Sequence, residues 1–410
     1  MHTVRHRFLF CTFLFAALYS ACGDSAPQDA GNKIVNWWHF WAEPYQKPIV
    51  RKLISDFERS NPGIKIKATE LTWSSGYEKL TAAFAGDHPP DVLELGSDWI
   101  YEFGSRGLLE DLSQTTDSLK SHYLGWSCAE VDGKVFAMPW LLGSRILFIN
   151  KGLVPMADEI VNLETLKEYI CAAHHPEKQI YGFGNTKLEP HQLYKKFLPF
   201  LWTFGGNILS SDGTKVILDS PESVQALSYY LDLCRCGLLE SQKNLDDSFV
   251  AGNLAVVFSG GWLIRKIQEQ HPGLNYTVLP MPSPTPGIPG TSFFGGEYLA
   301  VSRKSTVTKE SLRWIRFLMS EENSMALCAE SKVVVPSAVN AIELPYYKTH
   351  PLERTLFQQI QYSRSSPLHP KWNVIEGILE EMLEQVTYEK VGPREAITLA
   401  KTRIEKELAK

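Results

Sequence analysis

The sequence predicts an α/β protein arranged as two domains or as one large bilobal unit. The chain has 410 residues, which is too long for one ordinary domain. Hydrophobic residues make up 44% of it and charged residues 21%, so the composition supports a sizeable core and excludes global disorder. Strand-like and helix-like apolar patterns alternate near the start of the chain, and this alternation is typical of a parallel sheet with crossover helices.

The first part of the chain predicts three strands separated by two helices. Apolar runs or strict alternation indicate the strands, apolar residues at helical spacing indicate the helices, and Asn61-Pro62-Gly63 ends the first helix. The predicted strands cover 33–39, 64–70 and 91–95, and the predicted helices cover 48–60 and 76–85.

The later part of the chain continues this mixture of elements. Ser220, Pro221 and Glu222 supply a helix cap, a proline at the first helical position and an acid in the first turn. Residues 279–290 contain five prolines and two glycines and predict an irregular crossing segment. Further strands are expected at 254–258 and 294–301, and further helices at 163–173, 221–233, 310–319 and 324–329. The tail 374–408 is expected to be helical with one break at 391–393.

The N-terminus predicts a cleaved targeting segment. A basic start precedes a short apolar run at 8–18, and small residues then lead to Cys22. This arrangement resembles a bacterial lipoprotein signal, in which the cysteine becomes the lipidated first residue, although Tyr19 replaces the usual aliphatic residue. We therefore expect a signal peptide at 1–21, lipidation at Cys22 and a flexible tether at 22–33, with ordinary secretory cleavage nearby as the alternative.

The charge of the chain argues against nucleic-acid binding. Without Arg5 and Arg7 of the signal segment, 39 of the 41 basic residues remain against 46 acidic residues, a formal charge of −7. A mildly acidic chain without basic runs is a poor partner for nucleic acid. No stretch after the signal segment reaches ~18 uninterrupted apolar residues, so no membrane-spanning segment is predicted there.

The reactive residue types form no recognised catalytic or metal-binding motif. The usual motifs of hydrolases, zinc peptidases, phosphate-binding loops and dinucleotide sites are absent from the sequence. We therefore expect no catalytic residues, no metal and no cofactor, although the plentiful carboxylates leave a glycosidase pair open. No cysteine pair has metal-finger spacing, and buried free thiols are predicted for Cys128, Cys171, Cys234, Cys236 and Cys328.

Aromatic residues at the ends of the predicted strands carry the main functional signal. Loops at the carboxyl ends of parallel strands are where open α/β sheets place ligands, so these side chains are expected around one crevice. An indole covers the C–H face of a pyranose ring, and carboxylates such as Asp98, Glu43 and Glu297 accept hydrogen bonds from its hydroxyls. The aromatic candidates are Trp38, Trp41, Trp73, Tyr77, Trp99, Trp140, Trp202, Trp262 and Trp372.

Core packing is the alternative for every one of these indoles. Trp37 and Trp38 are adjacent in a predicted strand, so their side chains alternate and one of them is expected in the core. The gathering of several tryptophans at strand ends, rather than any single residue, favours a ligand site.

Four segments resemble the extracellular solute-binding proteins of ABC importers, family 1, the group that includes maltodextrin- and glycerol-phosphate-binding proteins. They occur in the family's order, at 89–112, 131–154, 249–264 and 293–305. The resemblance implies a periplasmic-binding-protein fold with two lobes, each a mixed sheet flanked by helices, joined by hinge segments around the ligand. It implies one lobe of 34–142 with 294–340, a second of 143–293 with 341–410, and crossings near 141–145, 279–293 and 336–345.

The resemblance also places turns of this chain around the ligand. Besides the loops that carry the aromatic residues, these are the turns at Ser97 and Asp98 and at Gly261, and the segment with Gly296 and Glu297. Many sugar-binding members carry an acid where this chain has Gly143, followed by Ser144 and Arg145. An arginine suits phosphate, so Ser144 and Arg145 join the candidates and a phosphorylated ligand becomes an alternative. Pairing of Arg145 with a carboxylate of a lobe is the structural alternative.

Together these features predict a monomeric, lipid-anchored binding protein at the periplasm or cell surface that is not an enzyme. It is expected to capture a carbohydrate by hinge closure and to deliver it to the membrane subunits of an ABC permease, with no nucleic-acid partner. The alternatives are a glycerol 3-phosphate or glycerophosphodiester ligand, whose choline group an aromatic cage can hold, and a surface glycoside hydrolase.

Overall fold

The computed structural model describes residues 32–187 and 193–410 as two open β-sheets flanked by helices, together with one short hairpin. The predicted signal peptide at 1–21 and Cys22 lie outside the described residues, and Lys33 of the expected tether is the first residue of a strand. Within the described ranges, no helix combines the length and apolarity that a membrane crossing requires.

The first part of the chain builds most of one sheet. In chain order its elements are β1 (Lys33–His39), α1 (Lys47–Ser60), β2 (Ile64–Glu70), α2 (Gly76–Ala85), β3 (Val92–Gly96), α3 (Ile100–Ser105), α4 (Ser113–Thr116), α5 (Trp126–Ala129), β4 (Glu130–Val131), β5 (Lys134–Val135) and β6 (Met138–Ser144). Strand β1 pairs in parallel with both β2 and β3, with a helix in each crossover. The predicted alternation of strands and helices is confirmed.

The middle of the chain builds a second sheet. Its elements are β7 (Ile146–Asn150), α6 (Leu163–Ala172), β8 (Tyr181–Thr186), α7 (Leu193–Thr203), α8 (Pro221–Arg235), β9 (Gly237–Glu240), α9 (Gln242–Val250), β10 (Leu254–Ser259), α10 (Trp262–Gln270) and β11 (Tyr276–Leu279). The strand order is β11-β7-β10-β8-β9, and β7 and β10 are buried along their whole length because both faces of the sheet are covered. The Ser220 side chain accepts a hydrogen bond from the Ser223 amide, which confirms the predicted helix cap.

The last part of the chain completes both units. Its elements are β12 (Ser292–Val301), α11 (Thr308–Met319), α12 (Glu321–Ser331), β13 (Val335–Pro336), α13 (Pro345–Thr349), α14 (Pro351–Ile360), β14 (Ser363–Arg364), α15 (Trp372–Thr387) and α16 (Pro393–Leu408). Strand β12 runs antiparallel between β3 and β6, so the first sheet is mixed, with the order β13-β6-β12-β3-β1-β2. Helix α15 packs on α7 and α8, and α16 packs on α8. We call the first sheet with its helices the first lobe, and the second sheet with α6–α10, α15 and α16 the second lobe.

The chain passes between the two sheets at short segments. It leaves the first sheet at Arg145, between β6 and β7, and returns between Leu279 and Ser292. The third crossing was expected near 336–345, but β14 still pairs with β12, so the chain leaves the first sheet only after Arg364. The segment that the resemblance suggested for this crossing instead contains β13, which pairs with β6 of the first sheet, and Pro345 at the start of α13. The detailed lobe boundaries stay a prediction.

One pair of cysteines departs from the expectation of free thiols. Cys171 and Cys236 form a disulfide, whereas Cys128, Cys234 and Cys328 are free, as predicted. The two bonded cysteines lie 65 residues apart in the chain. Strand β8 brings them together, because it follows α6 in the chain and its Gly182 amide donates to the Cys236 carbonyl at 3.0 Å. The spacing of the two cysteines in the sequence does not indicate that they lie close together.

Replacing both bonded cysteines, as Cys171→Ser with Cys236→Ser, is expected to lower the free energy of unfolding by about 2–4 kcal/mol, because the cross-link restricts the unfolded chain. Urea denaturation of the two proteins measures the difference. Reductant should lower the stability of the parent to the level of the double variant and leave the variant unchanged. A parent protein that is indifferent to reductant would contradict the disulfide.

Candidate functional site

A cavity of about 400 Å³ lies between the two lobes at the carboxyl end of β3. The first lobe contributes the turn after β3 and the middle of β12, and the second lobe contributes α7 and the start of α10. Its lining comprises Trp73, Gly96, Ser97, Asp98, Gly143, Ser144, Arg145, Lys195, Trp262, Phe293, Gly295, Gly296, Glu297, Val333 and Val334. The first crossing, at Arg145, and the end of the second crossing, at Phe293, therefore border the cavity.

Trp73 forms an aromatic platform on the first-lobe side of the cavity. Its indole stacks on Phe40, with ring centroids 4.1 Å apart and planes inclined by 16°. Trp99 supports the same group at 5.6 Å from Trp73, and Tyr77 packs on Trp99 from the other side. Phe40 is buried while 49% of Trp73 remains exposed, so a held aromatic face is open to a ligand.

The second-lobe side presents a polar and cationic wall. The Trp262 indole N–H donates to Asp246 Oδ2 at 2.9 Å, which fixes the ring. The Arg145 guanidinium lies 5.1 Å from the centroid of that ring. Burial lowers the pKa of Arg145 to about 10, against the opposing effect of Asp246, so Arg145 is charged at neutral pH.

The lobes contact each other on both sides of the cavity. On one side Lys195 of α7 lies 3.4 Å from the Asp98 carboxylate. On the other side Arg265 of α10 lies over the Tyr45 ring, 3.4 Å from its centroid, and donates to the Glu330 carbonyl at 2.7 Å. These contacts hold the two halves of the site together.

Close backbone packing shapes the floor of the cavity. A β-carbon at Gly296 would lie 2.7 Å from Leu142 Cδ2 and 2.9 Å from the Leu141 carbonyl oxygen, so only glycine fits there. Next to it, Glu297 faces the cavity and approaches the buried carboxyl group of Glu94 on β3. The floor therefore combines bare backbone with one acidic side chain.

A second cavity of about 480 Å³ adjoins the first and shares Ser97 and Asp98 with it. The Asp98–Lys195 contact stands between the two spaces. Its other lining residues are Tyr77, Tyr101, Glu102, Ser105, Arg106, Ser365, Ser366, Pro367, Leu368, His369, Pro370, Trp372 and Asn373. The cleft between the lobes is thus longer than a single sugar ring.

The structure brings together ten of the residues expected at the site. Lining the first cavity are Trp73, Ser97, Asp98, Ser144, Arg145, Trp262, Gly296 and Glu297. Tyr77 and Trp372 line the second cavity, together with Ser97 and Asp98. Their contact with a ligand stays a prediction.

The other candidates border neither cavity. Trp41 packs edge-on against the fully buried Trp140, whose indole N–H donates to the Leu318 carbonyl at 3.1 Å. Trp37, also fully buried, joins this cluster, so one of the adjacent pair is in the core as predicted, while Trp38 is half-buried. Trp202 stacks on Phe293 at 6.2 Å, Trp99 supports Trp73, Glu43 is exposed in the loop after β1, and Gly261 packs on the Lys332 carbonyl.

Sequence patterns did not indicate three residues that shape the site. Lys195 comes from α7, which lies on the second lobe and carried no motif. Phe293 lies two residues before Gly295 at the start of β12, and its aromatic ring near the paired glycines was an available signal. Glu94 is fully buried on β3, where alternation predicted only a core strand. Among the described residues, no group of three or more histidine, cysteine or acidic side chains is placed to hold a metal ion.

Comparison with known sequences identifies relatives of this chain. A family model described as bacterial extracellular solute-binding protein matches residues 52–355, which is more than half of the chain. The galactooligosaccharide-binding protein of Bacillus subtilis is 24% identical over 413 residues, covering 96% of this chain and 94% of that protein. These are binding proteins, so the expectation that the chain is not an enzyme is confirmed.

Solved structures share the same fold. The sugar-binding protein MalE from Xanthomonas citri superposes with a TM-score of 0.80 at 23% identity, over 92% of this chain and 98% of that one. UgpB from Mycobacterium tuberculosis, solved with glycerophosphocholine, superposes with a TM-score of 0.78 at 17% identity, over 92% and 99%. The predicted two-lobed α/β fold is confirmed, and the chain belongs to the family of bacterial extracellular solute-binding proteins.

Proposed function

We propose that this protein captures a carbohydrate in the cleft between its lobes and delivers it to the permease of an ABC importer. The observation that carries the proposal is the half-exposed Trp73 platform, stacked on Phe40 and facing a cavity with charged and polar groups. An aromatic face covers the apolar side of a pyranose ring, and the surrounding groups bond its hydroxyls. The galactooligosaccharide-binding relative and the structural likeness to MalE support the same ligand class.

Capture proceeds by closure of the lobes on the ligand. The Trp73 platform belongs to the first lobe, and Trp262 and Lys195 belong to the second, so a bound sugar bridges them. A ligand that contacts both halves binds the closed form more tightly than the open form and shifts the population toward closure. Hinge closure also removes water, which strengthens the hydrogen bonds inside.

A lipid anchor at Cys22 completes the proposal. The basic start, the short apolar run and the small residues before Cys22 support cleavage after residue 21 and acylation of the new N-terminus. Acyl chains hold a protein at a membrane surface without spanning it. The protein then works at the periplasmic face or the cell surface, next to its permease.

Removing the platform tests the carbohydrate proposal. Isothermal titration across a panel of mono- and oligosaccharides should identify a binding sugar, and Trp73→Ala should weaken that sugar at least about tenfold, because stacking area and excluded water are lost. Tyr388, which is 51% exposed directly after α15 and outside both cavities, provides the control variant Tyr388→Ala with unchanged affinity. A panel that gives no binding heat would refute the ligand class.

The stability of the same variants separates binding from folding. Trp73→Ala removes a half-exposed ring and should change the free energy of unfolding by no more than about 1 kcal/mol. Trp140→Ala empties a fully buried site and should lower it by about 3–5 kcal/mol. Chemical denaturation measures both values, and equal losses would show that Trp73 is a core residue.

A phosphorylated ligand is the second candidate, supported by the two cations that line the first cavity. Arg145 and Lys195 lie on the hinge and on α7, and phosphate suits both types of side chain. If glycerol 3-phosphate or glycerophosphocholine is the ligand, Lys195→Ala and Arg145→Ala should each weaken it about tenfold or more. The exposed Arg394 provides the control Arg394→Ala. Unchanged phosphate-ester binding in both cavity variants would eliminate this candidate.

A further inference from the structure

Two acidic side chains meet beneath the first cavity. Glu94 on β3 pairs across the antiparallel ladder with Leu299 of β12, and Gly96 pairs with Glu297. Glu94 and Glu297 are therefore diagonal neighbours on the same face of the sheet, a spacing that long side chains can bridge. Glu297 also lines the cavity, whereas Glu94 is 0% exposed, so the pair connects the ligand space with the interior.

The surroundings of Glu94 and Glu297 favour a protonated state for at least one of the two carboxyl groups. Glu94 Oε2 accepts from the Phe40 amide at 3.0 Å. Among the described residues, Glu94 Oε1 and Glu297 Oε2 are buried without a geometric hydrogen-bond partner, and the groups nearest to Glu297 that could donate are the Glu94 carboxyl group and the Trp41 indole. Two ionised carboxylates that are buried side by side repel each other strongly. A protonated carboxyl group instead donates a hydrogen bond to its neighbour, which removes this repulsion.

Burial raises the pKa values of both groups. Burial, and then the neighbouring charge of Glu297, raise the pKa of Glu94 well above its usual value. Burial raises the pKa of Glu297 to about 8, although the Trp41 indole and the Glu94 carboxyl group, both placed to donate to it, act in the opposite direction. Burial therefore favours the neutral form of each carboxyl group over its ionised form.

Among the residues that the structure describes, no cationic side chain is a cause of the pKa shift of Glu94 or Glu297. Arg145 and Lys195 line the same cavity as Glu297, and Lys195 contacts Asp98. The titratable and charged side chains on the packed elements include His39 on β1, Asp98 after β3, Arg145 after β6, Tyr194 and Lys195 on α7, Cys328 on α12 and Glu353 on α14. Burial lowers the pKa of His39 to about 4, so this imidazole is neutral.

We propose that Glu94 and Glu297 form a proton-sharing carboxyl pair, through which Glu297 presents a neutral hydrogen-bond donor to the captured sugar and makes capture depend on pH. The inference rests on the proposed function, because a sugar supplies hydroxyl and ring oxygens that accept such a bond. A neutral floor also disfavours cationic ligands, which an ionised carboxylate would attract. Closure over an ionised Glu297 would bury an uncompensated charge, so deprotonation opposes binding.

Binding measurements at several pH values test the pair. With maltotriose and the other sugars of the panel as probes, affinity should be about tenfold weaker at pH 9 than at pH 7, since the ligand binds the protonated form. Glu297→Gln keeps a neutral side chain of the same shape, so its affinity should hold nearly constant over this range. The exposed Glu395 at the start of α16 gives the control Glu395→Gln, which should retain the slope of the parent.

The unfolding of the ligand-free protein gives an independent readout. A raised pKa in the folded state means that the native protein binds the proton more tightly, so this stabilising contribution is present below the ordinary value of 4.5 and is lost as the pH rises toward about 8. The parent should therefore lose stability relative to Glu297→Gln between pH 5 and pH 9. Glu94→Gln leaves Glu297 without its ionisable neighbour. The stability of this variant should therefore fall less between pH 5 and pH 9 than the stability of the parent.

The outcomes separate the two ideas. If no sugar binds but the pH-dependent stability difference appears, the proposed function and the role of Glu297 as a hydrogen-bond donor to sugar are refuted. The proton-sharing pair is still supported in that case. If a sugar binds with the same pH slope in the parent and in Glu297→Gln, the inference is overturned and the carbohydrate function stands. A stability difference that does not change with pH would also overturn the pair.

Discussion

Strand β12 is the constraint on which the site depends. It follows the crossing from the second sheet and runs antiparallel between β3 and β6. This pairing fixes the returning chain in the first sheet. Its middle supplies Gly296, which lets the backbone approach Leu141 and Leu142, and Glu297, which meets Glu94. Because β6 leads directly into the hinge at Arg145, the same three-strand ladder positions both the floor and the hinge of the cavity.

The tryptophans divide into two structural classes. Trp37, Trp41 and Trp140 form edge-on contacts in the interior of the first lobe, where large rings fill volume and exclude water. Trp73 and Trp262 lie on opposite sides of the cleft, each held by a specific partner, Phe40 or Asp246. The same residue type therefore stabilises the lobe in one place and offers a recognition surface in the other.

Much of the fold was predictable because local patterns match local structure. The strands and helices of the first 70 residues of the described chain, the Ser220 cap and the first two crossings follow from periodicity, turn residues and the family resemblance. The disulfide between Cys171 and Cys236 and the final crossing after Arg364 were not predictable, since both depend on which distant segments pair. For the site, strand-end position indicated Trp73 and Asp98 but could not separate them from Trp41, which follows β1 and is nevertheless buried.

The sequence by itself determined the class of protein, the order of its elements and the segments in which a ligand site must lie, because these depend on periodicity and residue type along the chain. Tertiary structure alone decided which side chains face the cleft, which cysteines join, and that Glu297 meets a buried Glu94. The physical reason is that burial and proximity across strands set the exposure of an indole and the protonation of a carboxyl group, and neither quantity is a property of the residue and its sequence neighbours.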